Sequence, residues 1–239
     1  MTTTHAIEAA AGVALLYAAR RYYRNWGTTK QECRQQLPGD ELVRLPALQS
    51  TEGILIGAPV DAVWPWLVQL GQDRAGLYTY EAVESLLSPN YHGDRAIRPE
   101  WQRLAPGDPV RLTPPGWLGR PDGVLLRVAQ VVEKQSIVLH GTPPEFPWDA
   151  VWSFHLEPHW ENQCRLLART RAGLRHPGQV FVTELAGPVV ALTMRGMLLG
   201  IRDRAEEMAG AHMHRGPSTQ PTNDRRRESV AVGPLPHHE

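Results

Sequence analysis

The sequence predicts an α+β fold in which a curved antiparallel sheet wraps a long C-terminal helix, with two short helices after the first strand. Three observations predict it. Apolar residues fall at helical spacing directly after one short strand, five consecutive stretches then alternate with period two, and the last ordered stretch is helical and apolar on nearly every side.

Each element follows from its residues. TEGILIGAP (Thr51 to Pro59) reads as a short strand ending at a break, and Pro59 suits a helix start, where a missing N–H is no loss. Val63, Trp66, Leu67 and Leu70 lie at i, i+3, i+4 and i+7, one apolar face; Pro65 bends this helix and Gly71 ends it. YTYEAVESLL (Tyr78 to Leu87) is the second helical piece. DPVRL (Asp108 to Leu112), GVLLRVAQVVE (Gly123 to Glu133), SIVLHG (Ser136 to Gly141), DAVWSFHLEP (Asp149 to Pro158) and QCRLLARTRAG (Gln163 to Gly173) alternate as strands of a meander, separated by Pro/Gly-rich or polar turns. From Val180 to Ala209 the pattern is helical again, and its apolar middle calls for neighbours on more than one side. The Gly196/Gly200 spacing reads as close helix packing.

Composition narrows the function. The chain of 239 residues carries 25 Lys plus Arg against 25 Asp plus Glu, so no global field draws it to nucleic acid. Two cysteines, Cys33 and Cys164, lie far apart with no metal spacing, as expected of reduced thiols in the cytoplasm. The first segment, residues 1–30, is Ala-rich: between Ala6 and Ala19 only Glu8 is polar, and Arg20, Arg21 and Arg24 follow among Tyr22, Tyr23 and Trp26. It is shorter than the roughly 20 apolar residues of a bilayer span. A docked helix, an interfacial helix making peripheral membrane contact, and a cleaved signal all stay open. Residues 37–209 form the ligand-binding domain, and residues 210–239 are too poor in apolar side chains to fold.

The motifs AP-x-x-x-VWPWLVQLGQDRAGLYTYE (Ala58 to Glu81), LAPGDPVRL (Leu104 to Leu112), WSFHLEP (Trp152 to Pro158), RLLARTR (Arg165 to Arg171) and MRGMLLGIRDRAE (Met194 to Glu206) resemble bacterial members of the START-related helix-grip superfamily, the SRPBCC or polyketide cyclase/dehydrase-like proteins. The resemblance implies a seven-stranded sheet gripping the C-terminal helix over a hydrophobic cavity. It implies no single activity, because that fold hosts lipid carriers, cyclases and plain binding proteins.

The expected ligand is a small hydrophobic or amphipathic molecule, lipid- or polyketide-like, bound without a cofactor. Trp66, Gln69, Tyr78 and Tyr80 follow from the aromatic and amide cluster, since tyrosine joins apolar surface to a hydroxyl. Trp152 and Phe154 share a strand face with Ala150 and Leu156. Met194 lies on the gripped helix. Arg169 shares a face with Arg165 and Arg171: outward it belongs to a solvated stripe, inward it anchors a carboxylate or enolate and needs a paired anion. HLEPH (His155 to His159) is a poor metal site, because Pro158 interrupts the strand and its face points to solvent. His92 and His140 show no partner for a general-base role. GxSxG, HExxH, Walker and GxGxxG motifs are missing. Non-catalytic binding is the first expectation, a cyclase, aromatase or dehydratase the alternative, and lipid handling at a membrane surface the third.

Overall fold

The computed structural model describes Ala11 and residues 24–79, 96–174 and 176–214. Its centre is a six-stranded, curved, wholly antiparallel sheet. The strands are β1 (Leu48–Ile56), β2 (Pro109–Arg111), β3 (Leu125–Val132), β4 (Ser136–Gly141), β5 (Asp149–Trp160) and β6 (Gln163–Gly173), in the spatial order β1-β6-β5-β4-β3-β2. The predicted meander is therefore present as β2 to β6, with β1 closing beside β6. The seventh strand implied by the resemblance is not among the described residues. β5 also runs through Pro158 to Trp160, with a register shift after the proline, where the sequence reading ended it.

Among the described residues the helices α1 (Lys30–Arg34), α2 (Val60–Val68) and α3 (Pro177–His214) accompany the sheet. α2 buries Val63, Trp66 and Leu67, the predicted face, and carries Pro65 inside it. The second helical piece, Tyr78 to Leu87, falls almost wholly outside the described residues. α3 bends by 48° between Glu184 and Ala186. Pro188 explains the bend, since it offers no N–H to the Glu184 carbonyl and its ring presses on that group. No single helix among the described residues is long and apolar enough to cross a membrane.

Alternation along the strands gives the sheet two differently used faces. On the concave face Ile54, Ile56, Leu126, Leu139, Phe154, Leu156 and Leu166 join Met194, Met197, Leu198 and Ile201 of α3 in the main core. This is the helix-grip arrangement, and burial of such side chains at about 25 cal/mol per Å² holds helix and sheet together.

The convex face is covered too, by residues 24–47. Near Arg24 the chain runs along the free edge of β1, where the Gly53 N–H donates to the Trp26 carbonyl at 3.0 Å and the Thr51 N–H to Asn25 Oδ1 at 2.9 Å. These bonds satisfy an edge that would otherwise be open for pairing. Gly27 (φ 70°) permits the close approach, since a Cβ there would stand 2.2 Å from the Gly53 carbonyl oxygen. A capping box between Thr29 and Glu32 starts α1, and Val43 then packs on Val138 and Val151.

Candidate functional site

The turn after α2 is built from side chains that the sequence leaves uncommitted and the fold commits. Gln69 is fully buried: its Nε2 donates to the Ala96 carbonyl at 3.1 Å, and its Oε1 accepts from the Arg98 N–H and Gln102 Nε2. Tyr78, at φ 55°, donates its hydroxyl to the Trp66 carbonyl at 3.1 Å and meets the Trp66 ring edge-on at 6.0 Å. The Arg204 guanidinium lies over the other ring, 4.8 Å from the Tyr78 centroid. Arg74 caps the end of α2 through the Val68 carbonyl, while Asp73 pairs with Arg111 at 2.7 Å. Gln69 and Tyr78 thus anchor the loop that follows α2. Tyr80 lies outside the described residues.

The remaining predicted residues divide between the two faces. Phe154, Met194 and Trp66 are buried in the main core, and Trp152 packs against it, its ring 4.8 Å from that of Phe154. Arg169 is on the other side of the sheet, so the expectation of an arginine inside the concave face is corrected. It is not a solvated stripe either. Arg169 is completely buried under residues 24–47, donating through Nε to Thr51 Oγ1, through Nη1 to the Gln35 carbonyl and Asp40 Oδ2, and through Nη2 to the Glu32 carbonyl. Arg165 pairs with Glu32 at 2.7 Å, and Arg171 with Asp40 at 3.0 Å. The paired anion that a buried arginine needs comes from a segment distant in sequence, which alternation alone does not show.

Within the concave core the polar groups are few. The indole N–H groups of Trp66 and Trp152 are buried with no acceptor among the described residues. Glu52, 2% exposed, stands on the same face as Ile54 and Ile56, 3.4 Å from the Ser50 hydroxyl. Burial pushes its carboxyl up to about 7, against the weaker pull of the Ser50 hydrogen bond, its own N–H and the nearby Arg24. Strand register sets their spacing. Ser50 faces Thr170 and Thr170 faces Trp152 in one row, with Glu52, Ala168 and Phe154 in the next. At about 4.8 Å per strand, Trp152 and Ser50 are about 10 Å apart across Thr170, as Phe154 and Glu52 are across the small side chain of Ala168. Sequence reasoning missed Glu52. Its signal was parity, a carboxylate at a position that shares its strand face with Ile54 and Ile56.

Other chemistry lies outside this core. His155 is buried on the convex side, its Nε2 2.9 Å from Ser153 Oγ. Burial, and then the Arg169 charge, push its imidazole down to about 4, while Asp40 acts in the opposite sense. Among the described residues no three His, Cys, Asp or Glu side chains are grouped to hold a metal. His140 has the partner its sequence context does not show, Asp149 Oδ1 at 2.7 Å; His92 is outside the described residues. Two surface hollows, of about 670 and 500 Å³, open elsewhere. The first is bordered by Pro59, Val60, His155, Pro158 and Trp160, and the second by Arg34, Asp40, Arg44, Arg169 and Arg171. Among the described residues, Arg169 is the only predicted ligand residue bordering either one.

No family model and no curated protein matches the chain. Solved structures do. A protein of Mesorhizobium loti is similar at 14% identity over 66% of this chain and 98% of its own, with a TM-score of 0.38. Norcoclaurine synthase from Thalictrum flavum is similar at 14% identity over 73% of this chain and 93% of its own, TM-score 0.39. The di-domain ARO/CYC protein BexL is similar at 15% identity over 67% of this chain and 47% of its own, TM-score 0.40. Such values describe a loosely shared course of the chain and say nothing about chemistry.

Proposed function

We propose that this chain binds a small apolar or amphipathic molecule, lipid- or polyketide-like, between the concave sheet face and α3. One observation carries the reading: among the described residues a largely apolar interior holds two indole N–H donors without acceptors, those of Trp66 and Trp152, together with the buried carboxyl of Glu52. An unsatisfied buried donor costs about 1–3 kcal/mol. A ligand carrying a carbonyl or hydroxyl removes that cost, while its apolar body replaces water-exposed surface at about 25 cal/mol per Å². Affinity then comes from the apolar body and orientation from the indoles and Glu52. The test is native mass spectrometry of freshly purified protein with identification of any extracted molecule, followed by titration with oleate watched through the indole N–H resonances. A bound small molecule and shifted Trp66 and Trp152 signals are expected. Empty protein whose indole signals ignore oleate overturns the proposal.

A second reading, proton transfer on the bound molecule, is favoured by Glu52, whose carboxyl at about 7 exchanges protons near neutrality. It calls for turnover that follows the ionisation of one group and is lost in Glu52→Gln while ligand binding remains. We infer as well that the ligand is collected at a membrane surface. The support is the composition of residues 6–26, an apolar alanine-rich run followed by arginines and aromatic rings.

A further inference from the structure

We propose that the exposed face of the first half of α3, acting with residues 6–26, docks on an anionic bilayer surface. This deepens the membrane-collection reading and rests on it. α3 is used in two ways along its length. In its second half Met194, Met197, Leu198, Ile201 and Ala205 are buried against the sheet. In its first half Val182, Val189, Val190 and Leu192 are 55%, 59%, 53% and 54% exposed, and Val180 is 40% exposed. From Val180 to Thr193 the sole charged residue is Glu184, and Arg24 Nη2 holds its carboxylate at 2.8 Å. A run of large apolar side chains left in water on one helix marks a surface that meets something else.

The same ion pair says what it meets. Arg24 follows the apolar run Ala6 to Ala19 closely in sequence, and its pair with Glu184 holds it on the half of α3 that carries the exposed valines. Arg24 lies at the border of this region with Arg195, which stacks on Trp26 with its guanidinium 4.6 Å from the ring centroid, and the sequence leading into Arg24 is itself cationic and aromatic, with Arg20, Arg21, Tyr22 and Tyr23. Apolar side chains in the middle and arginine with aromatic rings around them match acyl chains below anionic headgroups. A second copy fits less well, because a symmetric contact through this face would bring two arginine borders together.

The experiment is co-sedimentation of the full chain with phosphatidylcholine vesicles, with and without phosphatidylglycerol, for wild type, Val189→Asp and Leu192→Asp. Both positions are more than half exposed, so the variants should melt like the wild type by circular dichroism. Wild-type binding to the phosphatidylglycerol vesicles, weakened by salt, is expected, with a loss on the order of tenfold for each aspartate. Absence of wild-type binding, equal binding by the variants, or a concentration-dependent dimer dissolved by the aspartates would overturn the docking face. Native mass spectrometry of Val189→Asp separates the two proposals. Loss of vesicle binding with the ligand retained supports docking, whereas ligand-free protein that still needs Val189 for vesicles keeps the docking face and removes the ligand reading.

Discussion

Arg169 Nη1 donates to Asp40 Oδ2 at 2.7 Å across the convex face, and the two side chains are 1% and 7% exposed. This pair locks residues 24–47 onto β6, and Asp40 reaches Arg171 with its second oxygen. Removing one member leaves a buried, uncompensated charge. Asp40→Asn should therefore cost about 3–5 kcal/mol, whereas Asp40→Leu combined with Arg169→Met should cost less than the two single changes summed. Urea unfolding of the full cycle checks this. Additive losses would mean that the two side chains do not act as a pair.

Glu52 gives stability a basic limb. Its carboxyl ionises near 4.5 when unfolded and at about 7 when folded, so the folded state binds the extra proton between those values. The stabilisation is complete below about pH 4.5 and fades as pH rises through 7, for a total of about 3 kcal/mol. Glu52→Gln should flatten this limb and gain on the wild type at pH 8 compared with pH 5. Parallel urea midpoints for the two proteins at both pH values would contradict the assignment.

His155 gives the opposite limb. Its imidazole ionises near 6.5 when unfolded and at about 4 when folded, held down first by burial and then by Arg169. Its contribution is complete above about pH 6.5 and is lost as pH falls towards 4, again for about 3 kcal/mol. His155→Gln should weaken the dependence on acid. A thermal melt series from pH 7 to 4 in which the variant loses as much as the wild type would refute it.

Gly200 sits where α3 crosses the turn after α2, and a Cβ there would stand 2.1 Å from the Tyr78 carbonyl oxygen. Alanine is the better helix former by about 1 kcal/mol, yet the clash with backbone outweighs that gain. Gly200→Ala should destabilise by about 2 kcal/mol. Differential scanning calorimetry is the measurement, and an unchanged or raised Tm would show that the crossing has room to relax.

How much of this was legible beforehand can be traced residue by residue. Period two marked β2 to β6, and the spacing of Val63, Trp66 and Leu67 marked the buried face of α2, because alternation and helical spacing are local properties of a chain with one side in water. The same alternation placed Phe154 on the core face and grouped Arg169 with Arg165 and Arg171 on one face of β6, without saying which way that face points. It left the environment of Arg169 open, because that depends on Asp40, which lies 129 residues away in the chain. The polar ends of Gln69 and Tyr78 were visible as available chemistry. Their partners, the Ala96 and Trp66 carbonyls, were not.

The sequence by itself determined the order of elements, the α+β class and which side chains share a face, since each of these follows from spacing along one chain. Only the tertiary structure decided that the convex face is sheathed by residues 24–47, that Glu52 is the buried carboxyl of the concave core, and that the valines of α3 stay in water. Burial and pairing are properties of the space between distant segments, and no local period encodes which segment will fill it.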